Sequence, residues 1–91
     1  MRRQRLTIAV LRRDIARGRR GNHLRCPIAL SVSRRLHQAV RVHFGRIMTE
    51  TCHYAIPEEV FQFIDDFDAG RPVKPRRFTL VEVHRSSRLR P

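Results

Sequence analysis

The sequence predicts a two-layer α+β domain: a four-stranded antiparallel sheet with two helices on one face, in the strand-helix-strand-strand-helix-strand order of a ferredoxin-like split βαβ unit. Three observations carry this reading. Four short segments alternate apolar and polar residues, two longer ones repeat apolar residues at spacings of three and four, and Gly- or Pro-bearing breaks separate them. At 91 residues with 41% hydrophobic content, the chain is expected to form a single domain over 1–91 with a thin core and basic tails at 1–4 and 85–91.

The first strand is expected over 5–11, where Leu6, Ile8 and Val10 alternate with Thr7 and Ala9 before Arg12 and Arg13. A single helical turn over 14–17 then leads to a loop, Arg17-Gly18-Arg19-Arg20-Gly21-Asn22. Cys26-Pro27 opens the first long helix, because proline at the first helical position presets φ, and Ala29, Val32, Ser33, Leu36 and Val40 form its apolar stripe. Arg34, Arg35 and Gln38 lie off that stripe and are expected to face water. From Val40 the period changes to two, placing Val40, Val42 and Phe44 on one face of a strand and Arg41 and His43 on the other. Gly45 turns the chain, and the segment 52–56 returns as its hairpin partner across a loop of about six residues. The second helix starts at Pro57-Glu58-Glu59, with acids where the helix dipole favours them, and carries Val60, Phe61, Ile64 and Phe67. Gly70 is expected at the left-handed C′ position, 73–75 as an extended linker, and 78–83 as the fourth strand.

Charge is distributed in blocks. Of 20 basic side chains, 19 are Arg and one is Lys74, against eight acids, for a net +12. Residues 1–46 hold thirteen bases and one acid, 47–70 hold six acids and no base, and 71–91 hold seven bases and one acid. Like charge concentrated in the first half opposes compaction unless the acidic segment or an external polyanion relieves it. Guanidinium groups favour phosphate, which they bond bidentately, and they stack on bases. No segment has the roughly 18 apolar residues of a membrane-spanning helix, and the amino-terminal apolar run 6–11 is too short for a secretory signal.

Nucleophile-elbow, phosphate-loop and His-Glu-x-x-His patterns are absent, so the chain is expected to be non-enzymatic, with no cofactor and no small-molecule substrate. Asp65, Asp66 and Asp68 crowd the last turn of the second helix, where the dipole disfavours them, and arginines such as Arg71, Arg76 and Arg77 are expected to offset them. His23, Cys26, Cys52 and His53 are zinc-type ligands, but their spacing is that of no known finger, and both thiols read as small buried hydrophobes. The candidate site is the basic loop and the helix after it: Arg12, Arg13, Arg17, Arg19, Arg20, His23 and Arg25, continued by Arg34 and Arg35. Six phosphate contacts would give a log K against log salt slope of about −4 on single strands and about −5 on duplex DNA. The order of elements invites comparison with RNA-recognition domains, but Phe44, Tyr54 and Phe78 fall in phase with the core, leaving Arg41, His43 and His53 on the open face.

Two blocks, Arg19-Arg20-Gly21-Asn22-His23-Leu24-Arg25-Cys26-Pro27-Ile28-Ala29-Leu30 and the stretch 56–78 containing Phe63, Phe67-Asp68-Ala69-Gly70-Arg71-Pro72-Val73-Lys74-Pro75, resemble a group of small phage and prophage proteins. Arg76 stands where that group usually has an aromatic, and this chain is more basic. In kind, a small phage protein with one basic face is similar to anti-CRISPR proteins. The resemblance implies a steric inhibitor in the host bacterial cytoplasm that contacts the crRNA and Cas proteins of a type I surveillance complex. A phage accessory protein on duplex DNA and an inhibitor of a host protein such as RNA polymerase are the alternatives.

Overall fold

The computed structural model describes residues 4–43 and 45–85. Among them the chain forms β1 (Arg5–Val10), α1 (Arg12–Arg17), α2 (Pro27–Leu36), β2 (Arg41–His43), β3 (Arg46–Met48), β4 (Cys52–Ala55), α3 (Glu58–Asp68) and β5 (Arg76–Arg85). The architecture is two-layer α+β, with five described strands rather than four and three helices rather than two. Phe44 and the tails, apart from Gln4 and Arg85, lie outside the described residues.

The sheet runs β1-β5-β4-β3-β2, and every neighbouring pair is antiparallel. This is not the ferredoxin-like arrangement: among the described strands β1 sits at an edge and pairs only with β5. The expected hairpin of 40–44 with 52–56 is also corrected, because β3 lies between β2 and β4. Arg46-Ile47-Met48 offers one inward side chain, Ile47, too little alternation to mark a strand from sequence. Between β4 and β5 the register shifts after Tyr54↔Glu82 to His53↔His84, so Val83 is the extra residue of a bulge.

One face of the sheet is apolar and buried. Leu6, Ile8 and Val10 of β1, Phe78 and Leu80 of β5, Tyr54 of β4, Ile47 of β3 and Val42 of β2 meet Ile28, Ala29 and Val32 of α2 and Val60 and Phe63 of α3. Phe63 stands edge-on to Phe78 at 5.6 Å, a favourable geometry for two aromatic quadrupoles. Helix α2 ends at Leu36 rather than near Val40, because His37 turns left-handed at φ 57° while its N–H still donates to the Ser33 carbonyl. Helix α3 closes as expected: Gly70 takes φ 82°, its N–H donates to Phe67 O at 3.1 Å, and Arg71 N–H donates to Asp66 O at 2.8 Å.

Candidate nucleic-acid interface

The basic segment between β1 and α2 is built rather than loose. Helix α1 is a full six-residue helix, longer than the single turn expected from sequence. Its start is fixed by Asp14, whose Oδ2 accepts from the Leu11 N–H at 2.7 Å. Asp14 is 3% exposed, and its other oxygen accepts from Arg34 Nη1 of α2. Arg34 Nη2 also donates to the Ala9 carbonyl at 2.8 Å, so one guanidinium ties α2 to both α1 and β1. Here the sequence expectation is corrected: Arg34 is half-buried and clamps the scaffold instead of facing solvent.

After α1 the chain must pass close to α2. A Cβ on Gly18 would lie 2.8 Å from two ring carbons of Pro27 and 2.9 Å from Asp14 O, so only glycine fits without displacement. The loop then closes on itself. Arg19 N–H donates to Arg25 O at 2.9 Å, and Asn22 Oδ1 accepts from the N–H groups of Leu24 and Arg25, both at 3.0 Å. Gly21 N–H donates to Asp68 Oδ1 at 2.8 Å, and the Arg20 guanidinium packs beside Gly70 at the end of α3. The loop's far side is anchored where Val42 N–H donates to His23 O at 2.8 Å.

These bonds also explain the acidic cluster. Asp68 holds the loop; Asp66 accepts from Arg71 Nε at 2.8 Å and from Gln62, and Asp65 lies 3.6 Å from Arg71. The Arg71 hydrogen bond pulls the Asp66 carboxyl below its ordinary range. Of the three arginines expected to offset the cluster, Arg71 does so. Arg76 instead stacks over Phe78 at 4.5 Å, and Arg77 lies in the β1–β5 pairing opposite Ala9. Thus the ion pairs of the acidic segment are made with Arg71 of the carboxy-terminal basic block, and its carboxylate link to the first half is the Asp68 bond to the Gly21 N–H.

Arg12, Arg13, Arg17, Arg19, Arg20, Arg25 and Arg35 are exposed. Arg13, Arg17 and Arg34 border one groove of about 320 Å³ between α1 and α2. Arg19 and Arg20 border another, of about 620 Å³, floored by Ile15 and Phe67. His23 leaves this group: its ring lies 4.8 Å from that of His43, at the β2 edge. With Arg34 clamped and His23 at the β2 edge, seven of the expected residues remain exposed to an external anion: Arg12, Arg13, Arg17, Arg19, Arg20, Arg25 and Arg35.

Cys26 and Cys52 are buried free thiols, as expected. Cys26 caps α2, accepting from Ala29 N–H at 3.5 Å, and burial pushes its thiol pKa up, which disfavours the thiolate a metal or an electrophile requires. Among the described residues, no three His, Cys, Asp or Glu side chains gather where one metal ion could be held. No described helix is long and apolar enough to cross a membrane.

The open sheet face carries Arg41, His43 and His53 as expected, with Tyr54 and Phe78 buried on the other side. Sequence reasoning missed Arg5, Arg46, Arg77 and His84 on the same face. Strand parity was the available signal for Arg5, whereas His84 joins the face only because of the bulge at Val83. No protein-family model, no curated protein and no solved structure matches the chain.

Proposed function

We propose that the chain is a non-enzymatic binder of nucleic-acid backbone that acts on a host ribonucleoprotein, as a phage-encoded inhibitor of a crRNA-guided type I surveillance complex. The single observation that carries the polyanion reading is the ordered arginine loop. Its internal hydrogen bonds and its anchors on α3 and β2 fix the backbone that carries Arg19 and Arg25, directly after the helix that carries Arg12, Arg13 and Arg17. A preformed cationic surface spends little conformational entropy on binding, so its charge acts more fully on phosphate. The inhibitor assignment rests on the resemblance to small phage proteins, on the small size of the chain and on its arginine-rich α1 and loop surface.

Duplex reading through a recognition helix is disfavoured by geometry. Helix α1 spans only six residues, about 9 Å, and the exposed bases of α2 reduce to Arg35 once Arg34 is committed to Asp14. Contact is therefore with phosphates and with an acidic protein surface rather than with base edges. The test is an electrophoretic assay of target-DNA binding by the loaded complex. Saturating protein is expected to block the shifted species, and the Arg17→Glu, Arg19→Glu double variant to restore it. Full target binding at saturating wild-type protein overturns the proposal.

A further inference from the structure

The sheet has a second cationic surface, on the face opposite its helices. Registers across the strands align its outward residues in two rows. One row, Arg5–Val81–Ala55–Arg46–His43, crosses all five strands. The other, His84–His53–Met48–Arg41, crosses four. The first row has Val81 and Ala55 at its centre with Arg5, Arg46 and His43 toward its ends; the second sets Met48 between the His84–His53 pair and Arg41. The His53 and His84 rings lie 5.3 Å apart, tilted by 55°. Thr7 and Thr79 meet at 3.4 Å beside Arg77, extending the polar part of the face toward the far end of β1.

None of the described strands presents a carboxylate on this surface. Glu82 of β5 faces the helices and is 8% exposed. Glu50, in the turn between β3 and β4, borders the face at one corner, where with Leu24, Arg41, Met48 and His53 it lines a groove of about 310 Å³. The charge complement of a face with arginines at its margins and none of the described strand carboxylates is a polyanion. Its shape selects which one. Five strands spaced about 4.8 Å apart make a surface roughly 20 Å wide, which does not fit a major groove about 12 Å wide. A single strand with splayed bases can lie flat on it, with imidazoles or guanidinium planes as stacking partners.

We propose that this open face is a second binding site, for single-stranded nucleic acid, in which bases stack on the His53–His84 pair while Arg5, Arg41 and Arg46 hold the flanking phosphates. It shares no residue with the α1 and loop surface and does not rest on the inhibitor reading. The site is also pH-linked. The groups around His53 are His84 on β5, Arg46 and Met48 on β3, Arg41 on β2 and Glu50 in the turn. Partial burial first, then the charges of His84 and Arg46, hold the His53 imidazole below its ordinary range. A bound phosphate opposes both charges, so binding favours proton uptake and strengthens as pH falls toward the depressed range of His53.

The experiment is fluorescence anisotropy with labelled 12-nucleotide oligo(U) and oligo(dT) probes, between pH 5.5 and 7.5. The His53→Ala, His84→Ala double variant is expected to weaken single-strand binding by roughly tenfold, the scale of one lost base stack. The His53→Phe, His84→Phe variant should keep affinity at pH 7.5 and show a flatter pH profile. Arg41→Gln with Arg46→Gln, at exposed positions, gives a second loss without touching the rings. The probe that shows the larger loss identifies the occupant as RNA or DNA. Wild-type affinity in both the alanine and glutamine variants, with folding confirmed by circular dichroism, overturns the proposal; equal losses in the alanine and phenylalanine variants overturn stacking. Arg17→Glu with Arg19→Glu reports separately on the α1 and loop surface, so the failure of either site is visible on its own.

Discussion

Removing one acid from a chain of net charge +12 should weaken, not strengthen, its hold on a polyanion. The perturbation is Asp14→Ala. The buried carboxylate fixes the start of α1 through Leu11 N–H and receives Arg34 from α2. Losing the capping bond costs about 1 kcal/mol. Losing the partner of Arg34 would cost about 3–5 kcal/mol at a fully buried pair. The Arg34 side chain is 33% exposed, however, so water recovers part of it and about 1–2 kcal/mol is expected here. The total of about 2–3 kcal/mol lowers the melting temperature by roughly 8–24 °C for a domain of this size. Arg34→Ala should cost a similar amount, and the double variant should cost less than the sum by about 1 kcal/mol or more. Thermal melts by far-ultraviolet circular dichroism give all three values, and anisotropy with a labelled oligonucleotide gives the affinity. Below the new melting point the Asp14→Ala protein is expected to bind less tightly, because α1 loses the contacts that aim Arg13 and Arg17. Additive single losses, or an affinity that rises with the added net charge, would refute the assignment of Arg34 to the scaffold.

Two further outcomes follow from contacts elsewhere. Gly18→Ala forces a methyl group against the Pro27 ring and Asp14 O, and should destabilise the fold by about 1–3 kcal/mol in a denaturant titration; an unchanged midpoint would show that the segment gives way freely. Asp66 has a folded-state pKa below its ordinary value, so its stabilisation is present above about pH 4 and is lost as pH falls through the depressed folded value. Asp66→Asn should therefore flatten the acid limb of the stability profile, and an unaltered limb would contradict the Arg71 bond.

Periodicity located β1, α2, β4, α3 and β5 to within a few residues, because each buries at least two side chains on one face and those spacings are local, and it located β2 because the buried Val40 just before it extends the alternation to Val42. It missed β3, whose single inward residue, Ile47, carries no period, and it misjudged the strand order, which depends on pairings between residues as distant as Leu6 and Leu80. The candidate arginines were visible as composition, yet their division into clamp and surface was not. Arg34 sits off the apolar stripe of α2 and reads as solvated until α1 is placed beside it with a buried carboxylate. His23 belongs to the arginine run in sequence but to the β2 edge in space. The open face was legible through parity up to the bulge at Val83, beyond which alternation reverses and His84 joins His53.

The most direct measurement is size-exclusion co-elution of the protein with a crRNA-loaded type I surveillance complex at about 150 and 500 mM salt, a span over which six purely phosphate contacts on a single strand lose affinity by roughly 100-fold. Co-elution at both concentrations, abolished by Arg17→Glu with Arg19→Glu, is the expected result and marks a shaped interface built on the arginine loop. Co-elution confined to the lower salt would reduce the interaction to charge alone, and no co-elution at either would contradict the surveillance complex as the target.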